Sequence, residues 1–190
     1  DVALFLRGQK RRQALHSSSL ASDAINTATK QLVDEINRQK LTRNDLKSVI
    51  IRSNTEGKVI CGIYVTDPGF RPFELLTDTI KGLGFYYSDR RSPASRIDKK
   101  LREYGEMILH EEIAKKWLAY GIESFFQVNI PVFELALADI DSHLESDLPI
   151  VDFYCGVGTI GLAVNNLDQR LVMVESNPEA VSFAEWNAQE

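Results

Sequence analysis

The chain has 190 residues, 44% apolar and 26% charged, the balance of a globular protein with room for one ordinary domain or two small ones. No run approaches the roughly 20 apolar residues a membrane helix needs, and Cys61 and Cys155 are too few for a disulfide framework or a four-cysteine zinc or iron–sulfur site. A formal charge of −5 argues against a nucleic-acid-binding surface spread over the whole molecule, but not against a local basic patch. His16, His110 and His143 are scattered without ligand spacing, so no metal is expected, and the unpaired cysteines suggest a reducing, cytoplasmic setting.

In chain order, Val2–Leu6 has strand character and lacks the basic region that precedes a signal peptide. After Ser17-Ser18-Ser19, Ile25, Ala28, Thr29, Leu32 and Ile36 recur at helical spacing, with Ser22 placed to cap the start. Val49–Ile51 and Val59–Val65 form two strands, joined by the hairpin residues Ser53–Gly57. Asp67-Pro68-Gly69 is a turn. Phe73–Ile80 is expected as a short helix stopped by Gly82, and Leu83–Tyr87 as a further strand. The order strand, helix, strand, strand, helix, strand is the split order of a small α+β sandwich.

Two basic clusters, Arg7-Lys10-Arg11-Arg12 and Arg90-Arg91-Arg96-Lys99-Lys100, are either solvated loops or contact points for a polyanion. In Met107–Tyr120, Leu109, Ile113 and Trp117 fall four apart, as in a helix. The same residues also suit a hairpin turning near Ala114-Lys115, and periodicity does not decide. From Pro131, Val132, Leu135, Ala136, Ile140 and Leu144 line one side of a helix. Pro149–Tyr154 is a strand, Ile160–Val164 opens a helix, Leu171–Val174 is a second strand ending at Glu175, and Asn177-Pro178 starts another helix. Strand, helix, strand, helix is a right-handed parallel unit.

Gly156-Val157-Gly158-Thr159-Ile160-Gly161 satisfies G-x-G-x-x-G between a strand and a helix. Glycine permits the sharp turn and a close ligand, and a helix start offers free amides to an anionic group. Dinucleotides and S-adenosylmethionine both use this geometry, and both want an acid at the end of the second strand for ribose hydroxyls, as Glu175 supplies. Asp152, four residues before Gly156, separates them. An acid there suits a ligand with a cationic ammonium and sulfonium, and sits badly near a pyrophosphate.

Val151-Asp152-Phe153-Tyr154-Cys155-Gly156-Val157-Gly158 closely resembles the glycine-loop run of the RNA uracil-C5 methyltransferases. Ser124-Phe125-Phe126-Gln127-Val128-Asn129 is similar to that family's S-F-F-Q-V-N element, and Val174–Val181 to its V-E-x-x-P-E-A-V run. Before residue 120 the likeness is looser.

The resemblance implies an α/β chain: a small central α+β domain over residues 1–120, able to contact RNA, then the first half of a Rossmann-like class I methyltransferase domain over residues 121–190. It implies that Gln127 approaches the donor's methionine or adenosine part, that Tyr154 is the aromatic residue before the loop, that Thr159 contacts the donor and that Glu175 binds the ribose. With Asp152, Gly156 and Gly158 these make the expected S-adenosyl-L-methionine site. It also favours the hairpin for Met107–Tyr120.

In this family a cysteine thiolate adds to C6 of a uracil, and C5 then takes the methyl group. That cysteine lies well past the second-strand motif, so it is expected downstream of Glu190, and neither Cys61 nor Cys155 takes the role. The expectation is therefore a fragment of an RNA (uracil-5-)-methyltransferase acting on rRNA or tRNA, inactive by itself and with weak or no donor binding of its own. The alternatives are a non-catalytic RNA-binding or interaction module, a methyltransferase acting on a small molecule or protein, and, more distantly, a dinucleotide enzyme.

Overall fold

The computed structural model describes residues 2–5, 12–145, 147–165 and 169–190, and the chain divides into two compact units, Asp1–Met107 and Ile108–Glu190. The sequence places the domain boundary after residue 120; the division between the compact units falls between Met107 and Ile108, so that the segment 108–120 lies in the second unit.

In the first unit, β1 (Val2–Phe5) and β2 (Arg12–Leu15) pair antiparallel. Of the first basic cluster, Arg7, Lys10 and Arg11 lie outside the described residues, and only the backbone of Arg12 is described. Helix α1 (Asp23–Arg38) follows, with Ser22 Oγ accepting from the Ile25 amide at 3.2 Å as its N-cap, as expected. Ala28 and Leu32 of its inner face are buried against a four-stranded sheet ordered β3 (Leu46–Ser53), β4 (Val59–Val65), β5 (Ile80–Tyr87), β6 (Lys99–Gly105). Val59, Cys61, Ile63, Val65, Leu83 and Phe85 alternate onto the face that meets α1. The β3–β4 hairpin is where its turn residues indicate.

The helix expected over Phe73–Ile80 is not formed. The segment is irregular, and from Phe73 onward alternate residues are exposed. The reason is tertiary. Phe70 stacks on Phe85 at 5.6 Å and Phe73 meets the same ring edge-on at 4.9 Å. Phe73 and Leu75 join the core from one side of an extended chain, a two-residue period that overrides the local helical spacing. Residues 66–79 thus cross from β4 to its parallel partner β5 without a helix.

Gly82 does not stop a helix. It lies inside β5 opposite Gly105, where a Cβ would collide with the Glu106 carbonyl. The unit is α+β, but its second strand pair and added edge strand β6 replace the expected split order.

In the second unit, the segment 108–120 contains a hairpin, β7 (Leu109–Ile113) and β8 (Lys116–Tyr120), turning at Ala114 and Lys115. Both turn residues have positive φ, 49° and 65°, the backbone that a two-residue hairpin of native twist requires. Leu109, Glu111 and Ile113 are buried at alternate positions.

Then come α2 (Ile130–Asp141), β9 (Ile150–Phe153), α3 (Thr159–Val164), β10 (Leu171–Val174) and α4 (Pro178–Asn187). β9 and β10 are parallel, Ile150 opposite Leu171 through Phe153 opposite Val174. Helix α2 is present, but the apolar side inferred for it is wrong. Val132, Leu135 and Ala136 are exposed, Leu135 by 72%, and Leu137 is the buried residue.

Among the described residues no helix is long and apolar enough to cross a membrane, and no group of His, Cys, Asp and Glu is arranged to hold a metal.

The Ala114-Lys115 turn is strained by its residue types. Neither residue favours positive φ, whereas Asn-Gly does. A114N/K115G keeps the Ala114 backbone amide that donates to Glu134 Oε1 at 2.9 Å. It should raise stability by about 1 kcal/mol, read as a higher urea midpoint at unchanged m-value. An unchanged or lower midpoint contradicts the strain assigned to this turn.

Candidate functional site

The site is built where β9 gives way to α3. A strand that must turn sharply into a helix needs backbone outside the right-handed regions, and three residues supply it: Tyr154 (φ 61°), Gly156 (φ 57°) and Gly158 (φ 86°). The Cys155 amide donates to Val174 O at 3.1 Å, tying the turn to the end of β10, and the Gly158 amide donates back to Cys155 O at 2.9 Å. Gly158 is the left-handed N-cap of α3.

Gly161 has a packing role. A Cβ there would lie 3.0 Å from Leu171 Cδ1 and 3.1 Å from Asp152 Oδ2, so the missing side chain lets α3 lie close on both strands. At Gly156, by contrast, a Cβ would find its nearest neighbour, Phe125 O, 3.8 Å away. That position borders open space, as a ligand-facing turn should.

The two acids frame this turn. Asp152 Oδ2 accepts from the Gly161 amide at 2.9 Å. Burial pushes its carboxyl above the usual range, and that single amide only partly opposes the shift. Glu175 follows β10. Its Oε1 accepts from the Asn177 and Ser176 amides at 2.8 and 2.6 Å, and its Oε2 from the Gly156 amide at 3.0 Å. The Asn177 and Ser176 amides chiefly hold this carboxyl below the usual range. Each carboxylate oxygen has two lone pairs, so Oε2 keeps one for a ligand hydroxyl.

The other expected residues differ in accessibility. Tyr154 is 90% exposed, Gln127 is exposed, and Thr159 is buried as the first residue of α3. The segment 124–129 is brought alongside the loop. Phe126 stacks on Tyr120 of β8 at 4.0 Å, the two rings nearly parallel. Ser124 Oγ donates to Glu179 Oε2 at 3.3 Å, and Asn129 caps α2. Phe125 O is the atom nearest the open side of Gly156.

In neither cysteine does the setting favour the thiolate. Burial pushes the Cys61 thiol up to about 12. Burial, then the charges of Asp152 and Glu175, raise that of Cys155.

Asn187, which no motif singled out, is buried at the end of α4. Its Oδ1 accepts from the Ala119 amide at 2.8 Å, and its Nδ2 donates to Ala119 O at 3.0 Å and to Val157 O at 2.9 Å. One side chain thereby joins α4, β8 and the glycine loop. A polar residue on a helix face carries no such signal in sequence, because its partners lie 68 and 30 residues away.

The apolar face of the β9–β10 pair opposite α3 is open. Val151, Phe153, Val172 and Val174 are exposed, Phe153 by 67%, whereas parallel strands are ordinarily covered on both faces.

No family model matches the chain. Among curated proteins it is 36% identical over 88 residues to a human tRNA (uracil-5-)-methyltransferase homolog A, covering 45% of this chain and 14% of the relative. It is 27% identical over 188 residues to an uncharacterized RNA methyltransferase of Oceanobacillus iheyensis, covering 90% of this chain and 41% of the relative. The chain thus spans less than half the length of these relatives. Its fold matches the crystal structure of Pyrococcus abyssi tRNA (uracil-54, C5)-methyltransferase in complex with S-adenosyl-L-homocysteine, with a TM-score of 0.78 over 94% of this chain and 47% of that one at 18% identity. Alignments and fold agree in direction: the chain is similar to curated RNA methyltransferases, one of them named as a tRNA (uracil-5-)-methyltransferase homolog, and it shares the fold of the Pyrococcus abyssi enzyme.

Proposed function

We propose that this chain provides the donor-binding turn of an RNA (uracil-5-)-methyltransferase, which moves a methyl group from S-adenosyl-L-methionine to C5 of a uridine in rRNA or tRNA. The observation that carries the reading is the pairing of Asp152 and Glu175 across the open glycine turn. Residues 108–190 hold the donor and residues 1–107 meet the RNA. The uncovered apolar face of β9–β10 suits a parallel sheet whose second face is covered by further helices.

The residues fit the donor chemically. Asp152 is a partly buried carboxylate that accepts one amide and, among the described residues, forms no ion pair, so a ligand ammonium or sulfonium would relieve its raised pKa. The free lone pair of Glu175 suits a ribose hydroxyl. Gly156, without a side chain, leaves space for close approach. Gln127 and Thr159 are assigned to the donor's methionine and adenosine parts on the resemblance. The donor, when bound, supplies an electrophilic methyl on sulfur; the chain orients it. On the resemblance, the covalent attack on the uracil is assigned to a cysteine following Glu190, and the raised pKa of both thiols in this chain is consistent with that.

Three outcomes test this. Titrating S-adenosyl-L-homocysteine into isotope-labelled chain should shift the Gly156, Gly158 and Ser176 amide resonances, weakly and only at high ligand concentration, and E175A should abolish the shifts. Equal shifts with NADH would favour a dinucleotide site.

D152N removes a charge that the fold disfavours, and should raise the melting temperature by roughly 1–3 °C at neutral pH while weakening the ligand shifts. The sign follows from the raised pKa. The ionised form costs stability above the folded pKa, so the gain is full there and vanishes as pH falls to the ordinary value of 3.8. A D152N protein less stable than the parent at neutral pH contradicts this.

N187A leaves the Ala119 amide and two carbonyls unpaired. It should cost about 2–4 kcal/mol in urea unfolding; a loss within error of zero contradicts the bridging role.

A further inference from the structure

Charge is divided unevenly between the two units. Residues 1–107 carry 19 Lys and Arg against 13 Asp and Glu, while residues 108–190 carry 3 against 14. An acidic chain therefore contains one basic unit, an asymmetry that points to a polyanionic partner for that unit. The excess is concentrated after β5. Residues 88–102 hold Arg90, Arg91, Arg96, Lys99, Lys100 and Arg102 against Asp89 and Asp98.

The loop 88–98 is short of apolar anchors, and its shape comes from a cation beneath it. Lys47 of β3 directs Nζ to Ser88 Oγ at 3.1 Å, Asp89 O at 2.7 Å and Ala94 O at 2.8 Å. All three ammonium donors are thereby used. Ser48 Oγ donates to Ser95 Oγ at 2.6 Å, the Asp89 amide donates to Asp98 Oδ2 at 2.7 Å across the loop base, and Arg90 Nη2 donates to Asn44 O at 2.6 Å.

Above this frame the remaining cations face solvent. The Arg91 side chain is 91% exposed beside Asp89. That of Arg96 is 72% exposed, its Nε 3.6 Å from Asp98, beyond hydrogen-bond range. Exposed pairs of this kind contribute at most about 1 kcal/mol, so a phosphate oxygen can compete for both guanidinium groups. Guarding a sheet edge against strand pairing accounts for Lys99 and Lys100 on β6. It does not account for arginines in the loop, nor for Lys47 ordering them.

We propose that the loop Ser88–Asp98, with Lys99 at the start of β6, is a preorganised docking surface for the RNA phosphate backbone. Fixing the loop before binding lowers the ordering cost that flexible arginines would incur, and phosphate contacts position the nucleic acid without reading its sequence. The choice of RNA among polyanions rests on the methyltransferase reading above.

The test is fluorescence anisotropy of a labelled RNA stem-loop with uridines in its loop, titrated with the full chain at about 50 mM and about 200 mM salt. The parent should bind with strong salt dependence. R91Q/R96Q/K99Q should lower affinity about tenfold at the lower salt and make the log–log salt slope shallower by about 2. K30Q/K40Q/K58Q removes the same charge elsewhere on the unit and should stay within about twofold of the parent. K47M keeps the outward charges and should weaken binding severalfold with the slope retained; melting curves confirm that each variant is folded.

Salt-insensitive or absent binding by the parent, equal losses in the two triple variants, or poly-L-glutamate competing as well as RNA would overturn the proposal. The S-adenosyl-L-homocysteine shifts at Gly156 are read on the same samples. Their absence with this RNA pattern intact tells against the donor reading alone, and their presence with an unaffected R91Q/R96Q/K99Q variant tells against this surface alone.

Discussion

The second unit depends on how a strand is turned back into a helix within a few residues. Between β9 and α3 the backbone enters the left-handed region three times, at Tyr154, Gly156 and Gly158, and such a turn holds only if its polar groups are met. Glu175 meets the Gly156 amide, Val174 O meets the Cys155 amide, and Asn187 meets Val157 O. The partners come from β10 and α4. The glycine turn is therefore fastened by elements that follow it in sequence, and its shape is a property of the whole parallel unit.

The same fastening explains why the two acids differ. Glu175 lies at a strand end facing two successive amides at the start of α4 and the Gly156 amide, so its charge is solvated by backbone. Asp152 lies within β9 under α3 and receives one amide, so burial dominates. One carboxylate holds the loop and the other is left wanting a cation. This division suits a ligand with a neutral sugar and a positively charged end, and it follows from position on the strands rather than from residue type.

Local patterns were a good guide where the local period and the tertiary demand coincide. Ser22 as a cap, the β3–β4 hairpin and the β9-α3-β10-α4 order all follow from turn chemistry and short apolar runs. They fail where long-range contacts decide. Phe73–Ile80 has helical spacing, yet Phe85 takes both Phe70 and Phe73 and draws the chain out. For Met107–Tyr120 the four-residue spacing of Leu109, Ile113 and Trp117 competes with a two-residue alternation of Leu109, Glu111 and Ile113; burial chose the latter and left Trp117 exposed. On α2 the sequence identified the helix but the wrong side, since Leu137 is covered and Leu135 is not.

By itself the sequence determined the glycine turn, the acids on either side of it and the likeness to the uracil-C5 methyltransferases, because a positive-φ turn and a strand-end carboxylate are constraints on residue type at fixed spacing. Tertiary structure decided what fastens that turn and what organises the basic loop. Asn187 reaches Ala119 and Val157, and Lys47 reaches Ser88, Asp89 and Ala94, across separations no local period encodes. A side-chain hydrogen bond depends on where two distant backbones come to lie, and only packing of the surrounding elements sets that.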